Sequence, residues 1–178
     1  VDPIAGACTF TTARANIPLM GDLREVSSIH VVGSRVYAGT WGGLATSTDG
    51  GLTFTVSAAG LGGPVVFDVY AVGSTVYAAT NGGVSISPDG GATWTNATVA
   101  IGSGIVRAVY AVGSTVYAAT NGGLSISTEG GKAGSFTTNR TTDNGLGHNT
   151  VWDVHAVGST VYAATSGGLS ISTDSGAT

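Results

Sequence analysis

The sequence predicts an all-β fold, a β-propeller of four-stranded antiparallel blades with about four blades in the chain, and three observations carry that prediction. Four copies of one phrase, "TSTDGGLTF", "SISPDGGATW", "SISTEGGKAGSF" and "SISTDSGAT", place Asp49, Asp89, Glu129 and Asp174 at spacings of 40, 40 and 45 residues. A repeat of that length suits one four-stranded blade. Each unit consists of short β-branched and aromatic runs with no stretch of helical periodicity. Tight-turn signals separate the runs, so successive strands pair as hairpins.

The second unit shows the elements in order. Its strand-like runs are 65–72, 75–80, 84–87 and 93–97. Gly73-Ser74 suits a two-residue hairpin with Gly at its first central position. Asn81-Gly82 is the strongest short hairpin signal, because both residues tolerate positive φ. Pro88-Asp89-Gly90-Gly91 closes the third hairpin, where the Asp carboxylate accepts backbone N–H groups of its own turn and the following aromatic packs the outer strand onto the blade. A calcium reading of this turn fails on ligand number, since one carboxylate per turn is far short of six to eight oxygens. No metal and no cofactor is expected.

The intact form of the turn, Ser87, Asp89, Gly90, Gly91, Thr93 and Trp94, resembles the Asp-box, or BNR, repeat of sialidase-type propellers. That superfamily includes sialidases, two-propeller xyloglucan hydrolases, sortilin-type receptors and a photosystem assembly factor. The resemblance implies the propeller fold and a structural role for Ser47, Asp49, Phe54, Ser87, Asp89, Trp94, Glu129 and Asp174, at the end of the blade away from the ligand face. It implies no single function. Phe54 replaces Trp in the first copy. Glu129 replaces Asp in the third, which has a two-residue insertion before Phe136, and the fourth stops before its aromatic.

The fourth unit lacks an outer strand, and "GACTFTTARA" near the start reads like "GATWTNATVA" of the second unit, with Phe10 in the Trp94 place. The N-terminal strand 6–14 is therefore expected to complete the last blade, so that residues 1–178 form one propeller or half-propeller domain. The slight Val, Ala, Ile and Leu filler favours two chains in one eight-bladed ring. A four-bladed monomer and open strand-exchanged assemblies remain alternatives.

Charged residues make up 9% of the chain and the net charge is −4, which leaves no basic stripe for nucleic acid. No apolar run reaches the roughly 18 residues of a membrane span. A first residue other than Met, few Lys and abundant Ser, Thr and Gly point to an extracellular or periplasmic protein. The lone Cys8 cannot form an intrachain disulfide and reads as a buried thiol.

Because the units are so alike, the positions where they differ carry the functional reading. The inner-strand starts read Ser27, Phe67, Arg107 and Trp152, followed by Ser28, Asp68, Ala108 and Asp153; the second-hairpin corners read Trp41, Asn81, Asn121 and Ser166. The connection before the fourth unit is longer than its counterparts and carries Arg140, Asp143 and His148. Trp41, Phe67, Asp68, Arg107, His148, Trp152 and Asp153 thus form a candidate ligand-binding face of flat apolar surfaces and hydrogen-bonding groups, a combination that suits sugars. The expected function is a non-catalytic extracellular module that binds a glycan or cell-surface polymer. The alternative is an assembly scaffold acting by self-association. A glycoside hydrolase using Asp68 and Asp153 is the minor reading, because a sialidase would need three Arg and the inner-strand starts offer only Arg107. His30 and His155 stand where Tyr70 and Tyr110 stand and read as blade packing.

Overall fold

The computed structural model describes residues 25–97 and 102–178; the expected closing strand at 6–14 and Cys8 lie outside them. Blade 1 consists of β1 (Val26–Val32), β2 (Arg35–Thr40), β3 (Gly43–Ser47) and β4 (Thr55–Ser57). Blade 2 consists of β5 (Val66–Val72), β6 (Thr75–Thr80), β7 (Gly83–Ser87) and β8 (Thr95–Ala97). Blade 3 is β9 (Val106–Val112), β10 (Thr115–Thr120), β11 (Gly123–Ser127) and β12 (Phe136–Arg140). Blade 4 has three strands among the described residues, β13 (Val151–Val157), β14 (Thr160–Thr165) and β15 (Gly168–Ser172). Each blade is an antiparallel meander; Tyr77 of β6, for example, pairs with Tyr70 on one side and Ile86 on the other.

The four blades of this β-propeller stack through their faces. Period-two alternation sends Tyr77 and Ala79 of β6 toward blade 3 and Val76 and Ala78 toward blade 1. Both faces of an interior blade are covered, so β6 and β7 are buried along almost their whole length. That is why the runs read as continuous small apolar stretches, without an apolar-polar alternation. Each fully buried Val contributes about 1.5–3 kcal/mol, and Val66, Val76, Val84, Val106, Val116, Val151 and Val161 are all fully buried. The inner strands pack in succession, β1 on β5, β5 on β9 and β9 on β13. Along them runs a ladder of rings, His30–Tyr70–Tyr110–His155, with centroids 4.8, 4.6 and 4.4 Å apart. The two histidines do pack blades: His30 Nε2 lies 2.9 Å from Ala71 O of the next blade. Burial first, and Tyr110 second, push the Tyr70 hydroxyl up to about 12.

The hairpins form where expected, with one difference in how. Gly73 has φ 60°, as the first hairpin requires. At the second corner the positive φ falls on Gly83, at 115°, rather than on Asn81 or Gly82. The corner is set by Thr80, whose hydroxyl donates to Gly83 O at 2.8 Å and accepts from Gly82 N at 3.1 Å. Thr40, Thr120 and Thr165 repeat that pair of bonds. Gly82 is needed for a different reason: a Cβ there would run into Gly62 O of the connection between blades 1 and 2, and the same close approach joins Gly122 to Gly102 and Gly167 to Gly147.

At the opposite end, the acidic turns are self-contained. Asp89 Oδ1 accepts from Thr93 N at 2.8 Å, Ala92 N at 3.0 Å and the Ser87 hydroxyl at 2.7 Å, while Oδ2 accepts from the Thr93 hydroxyl at 2.6 Å. Thr93 is committed to the turn, so β8 starts two residues later than its sequence run. Gly90 N donates to Ser74 O at 2.8 Å, which ties the turn to the first hairpin of the same blade. Asp49 and Asp174 repeat the arrangement. Blade 3 does not: Glu129 contributes only its backbone N–H, which donates to Ser127 Oγ as Gly131 N does, and the Ser135 hydroxyl, which precedes Phe136 as Thr93 precedes Trp94, takes the carboxylate's place 2.6 Å from Ser127 Oγ.

Candidate functional site

The four variable inner-strand residues share a backbone feature that the sequence did not reveal. The ladder register skips Ser27, Phe67, Arg107 and Trp152, so each is the extra residue of a β-bulge. A bulge turns its residue out of the pleat and re-aims the side chain. Two of the side chains are directed to the corner of their own blade. Arg107 Nε donates to Asn121 Oδ1 at 3.0 Å, and Trp152 Nε1 donates to Ser166 Oγ at 3.0 Å. Ser27 differs, because its hydroxyl is directed at Gly39 O and Val66 O.

Three of these residues form one stack. The Arg107 guanidinium lies 5.5 Å from the Phe67 ring centroid and 4.8 Å from that of Trp152, so the cation sits between two aromatic faces drawn from the neighbouring blades. Trp152 is 50% exposed and keeps apolar surface open to solvent. Arg107 makes no ion pair among the described residues, and a neutral amide is its acceptor. Trp41 stands exposed at the equivalent corner of blade 1.

The two carboxylates are not alike. Each oxygen of Asp68 accepts a backbone N–H, from Val69 at 2.8 Å and from Val109 of the next blade at 3.0 Å. Burial nevertheless holds its acid above the usual carboxylate range, with the charge of Asp153 adding to the effect. Asp153 repeats the first bond, to Val154 N at 2.8 Å, but is exposed. His148 is exposed beside Gly167, and its Nδ1 accepts from Thr150 N at 2.9 Å. Arg140 is directed elsewhere, donating to Gly176 O and Ala177 O of blade 4. The structure thus brings Phe67, Arg107 and Trp152 into contact, places Asp153 and His148 on the exposed end of blade 4, and commits Asp68 to the backbone.

Two cavities, of about 280 and about 260 Å³, lie between blades 3 and 4 and between blades 1 and 2, and neither includes a residue of the stack. Among the described residues no group of three His, Cys, Asp or Glu side chains is placed to hold a metal ion, and no helix is long and apolar enough to cross a membrane.

No protein-family model and no curated protein matches the chain in sequence. Solved structures do match in shape. The computationally designed Ika4 protein is 12% identical with a TM-score of 0.62, over 88% of this chain and 96% of that one. An ancestral GH74 enzyme is 20% identical with a TM-score of 0.64, over 80% of this chain and 22% of its own length. The extracellular domain of a B. thetaiotaomicron protein described as a hybrid two component system is 18% identical with a TM-score of 0.64, over 82% of this chain and 23% of its own. The chain therefore spans nearly all of the first and under a quarter of the other two. At these identities the likeness is one of fold, and the fold is a four-bladed stretch of β-propeller.

Proposed function

We propose that this chain is a non-catalytic carbohydrate-binding module, exported from the cell, whose ligand lies across the bulged ends of the inner strands. The observation that carries the reading is the Phe67–Arg107–Trp152 stack: a half-exposed indole face beside a guanidinium that has no carboxylate partner among the described residues. A pyranose ring presents C–H faces for the indole and hydroxyls for the guanidinium and for Asp153. Extracellular placement is supported by the fold it shares with the B. thetaiotaomicron extracellular domain, and the acidic turns are assigned to the Asp-box type on their Ser, Asp, Gly and Thr pattern. The non-catalytic reading is supported by Asp68, whose two oxygens are both occupied by backbone N–H groups and so are poorly placed for acid-base work beside Asp153.

Affinity electrophoresis through gels containing soluble β-glucan or α-glucan tests this. Retardation of the wild type that is lost in Trp152→Ala and relieved by free oligosaccharide supports it. Equal mobility of both proteins in every gel overturns it. A second reading, assembly through protein contacts, is favoured by the exposed faces at the two ends of the blade stack.

A further inference from the structure

The two ends of the blade stack are complementary halves of the interface already used between blades. The face of each blade toward its successor carries a Tyr, a Leu or Val, and an Ile: Tyr77, Val84 and Ile86 in blade 2, Tyr117, Leu124 and Ile126 in blade 3. Blade 4 repeats them as Tyr162, Leu169 and Ile171, yet Leu169 is 65% exposed where Leu124 is 3%. The face toward the predecessor carries Val66, Val69 and Ala71 in blade 2, and Val106, Val109 and Ala111 in blade 3. Blade 1 repeats these as Val26, Ile29 and Val31, and Ile29 is 67% exposed where Val69 is 3%.

The polar groups that cross an interior junction recur at the ends without partners among the described residues. Asp68 Oδ2 accepts from Val109 N of the following blade. Its counterpart Asp153 bonds only Val154 N, and the donor corresponding to Val109 N is Ile29 N. His30 Nε2 meets Ala71 O of the following blade; its counterpart is His155, and the acceptor corresponding to Ala71 O is Val31 O. The Tyr117 hydroxyl donates to Ser175 O of blade 4, and the equivalent pair at the ends is Tyr162 with Gly50 O. Three cross-blade bonds and an apolar face are thus present in halves, one half at each end of the same chain.

We propose that a second copy of this chain closes the ring, seating its blade 1 on the open face of blade 4 while its own blade 4 receives blade 1 of the first. Two identical junctions related by a two-fold axis give an eight-bladed ring in which every blade face is covered by a neighbour. The ring ladder then continues from His155 to the partner's His30. This inference is independent of the sugar reading, because its readout is mass.

The experiment is native mass spectrometry with light scattering on the wild type, on Ile29→Lys, on Leu169→Glu, and on an equimolar mixture of the two variants. Both positions are exposed in the single chain, and circular dichroism confirms that each variant keeps its strands. The wild type is expected at twice the 17.4 kDa of one chain, and each variant alone at one chain. The mixture is expected to return to twice 17.4 kDa. A mixed ring has one native junction and one in which the two introduced charges, opposite in sign, face each other. A wild type at one chain, a ladder of larger masses, or variants that still dimerise would each overturn the proposal.

Discussion

Asp89 and Asp68 stand at opposite ends of blade 2, and their surroundings push the two carboxyl groups in opposite directions. Asp89 is held well below the usual carboxylate range, by the Thr93 hydroxyl first, then the Thr93 N–H and the Ser87 hydroxyl. Asp68 is pushed above that range by burial, against the pull of two backbone N–H groups. The acidic turn keeps its charge in water and uses it to fix its own loop. The bulged end buries a charge to join two blades. Repeated residues gather at the first end and varied residues at the second, which is the division expected if one end holds the blade together and the other meets a ligand.

The largest effect should come from the backbone approach that the varied end depends on. Gly82→Ala and Gly122→Ala each place a methyl group on a facing carbonyl, of Gly62 and Gly102. Overpacking of this kind costs about 1–3 kcal/mol, and chemical denaturation should show a loss in that range for each. An unchanged midpoint would mean that the connections are free to move away.

The acidic turns should give smaller losses with a sharp internal contrast. Asp89→Ala should lower the melting temperature, whereas Glu129→Ala should leave it unchanged, because Ser135 performs that role in blade 3; Ser135→Ala should lower it. Since the folded value of Asp89 is depressed, its contribution is complete above the unfolded value of about 3.9 and is lost as pH falls through the folded value. The gap between wild type and Asp89→Asn should be constant near neutrality and close in strong acid. Asp68 has the opposite sign: its raised folded value makes its contribution full below about 3.9 and diminishing as pH rises through the folded value. Melting curves of Asp68→Asn should lack that decline, and a parallel pH dependence in the two Asn variants would contradict the contrast.

The smallest effect on stability should be at the stack. Arg107→Ala removes two cation–π contacts at a partly exposed site, worth about 0.5–1 kcal/mol each. Its retardation in a glycan gel should nevertheless fall to that of a non-binding control.

Much of the blade can be read from the residues. Strand limits in the second unit agree within two positions, because Gly73-Ser74 and the acidic turn are local signals that need no neighbour. The corner at 81–82 lies where the sequence places it, but its positive φ sits at Gly83, and Gly82 serves an approach from a connection twenty residues away. The bulges are invisible in the sequence for the same reason: Phe67 and Arg107 lie in runs that look like uninterrupted strand, and only the pairing with β6 and β10 shows that each is skipped. Asp68 and Arg107 read alike as ligand groups in the sequence. Their separation into a backbone clamp and a stacked cation depends on the next blade, which the order of residues within one unit does not describe.

The three Trp residues provide the most direct measurement of the central claim. Trp41 and Trp152 lie at the varied end, while Trp94 follows the acidic turn and packs against Gly60. Their indole N–H signals can be followed by two-dimensional ¹⁵N–¹H NMR during titration with a soluble gluco-oligosaccharide. The account predicts that the Trp152 signal shifts in a saturable way, with Trp41 following if the ligand reaches blade 1, while Trp94 stays fixed. A Trp152 signal that does not move in a titration that shifts Trp94, or in one that saturates elsewhere, would contradict it.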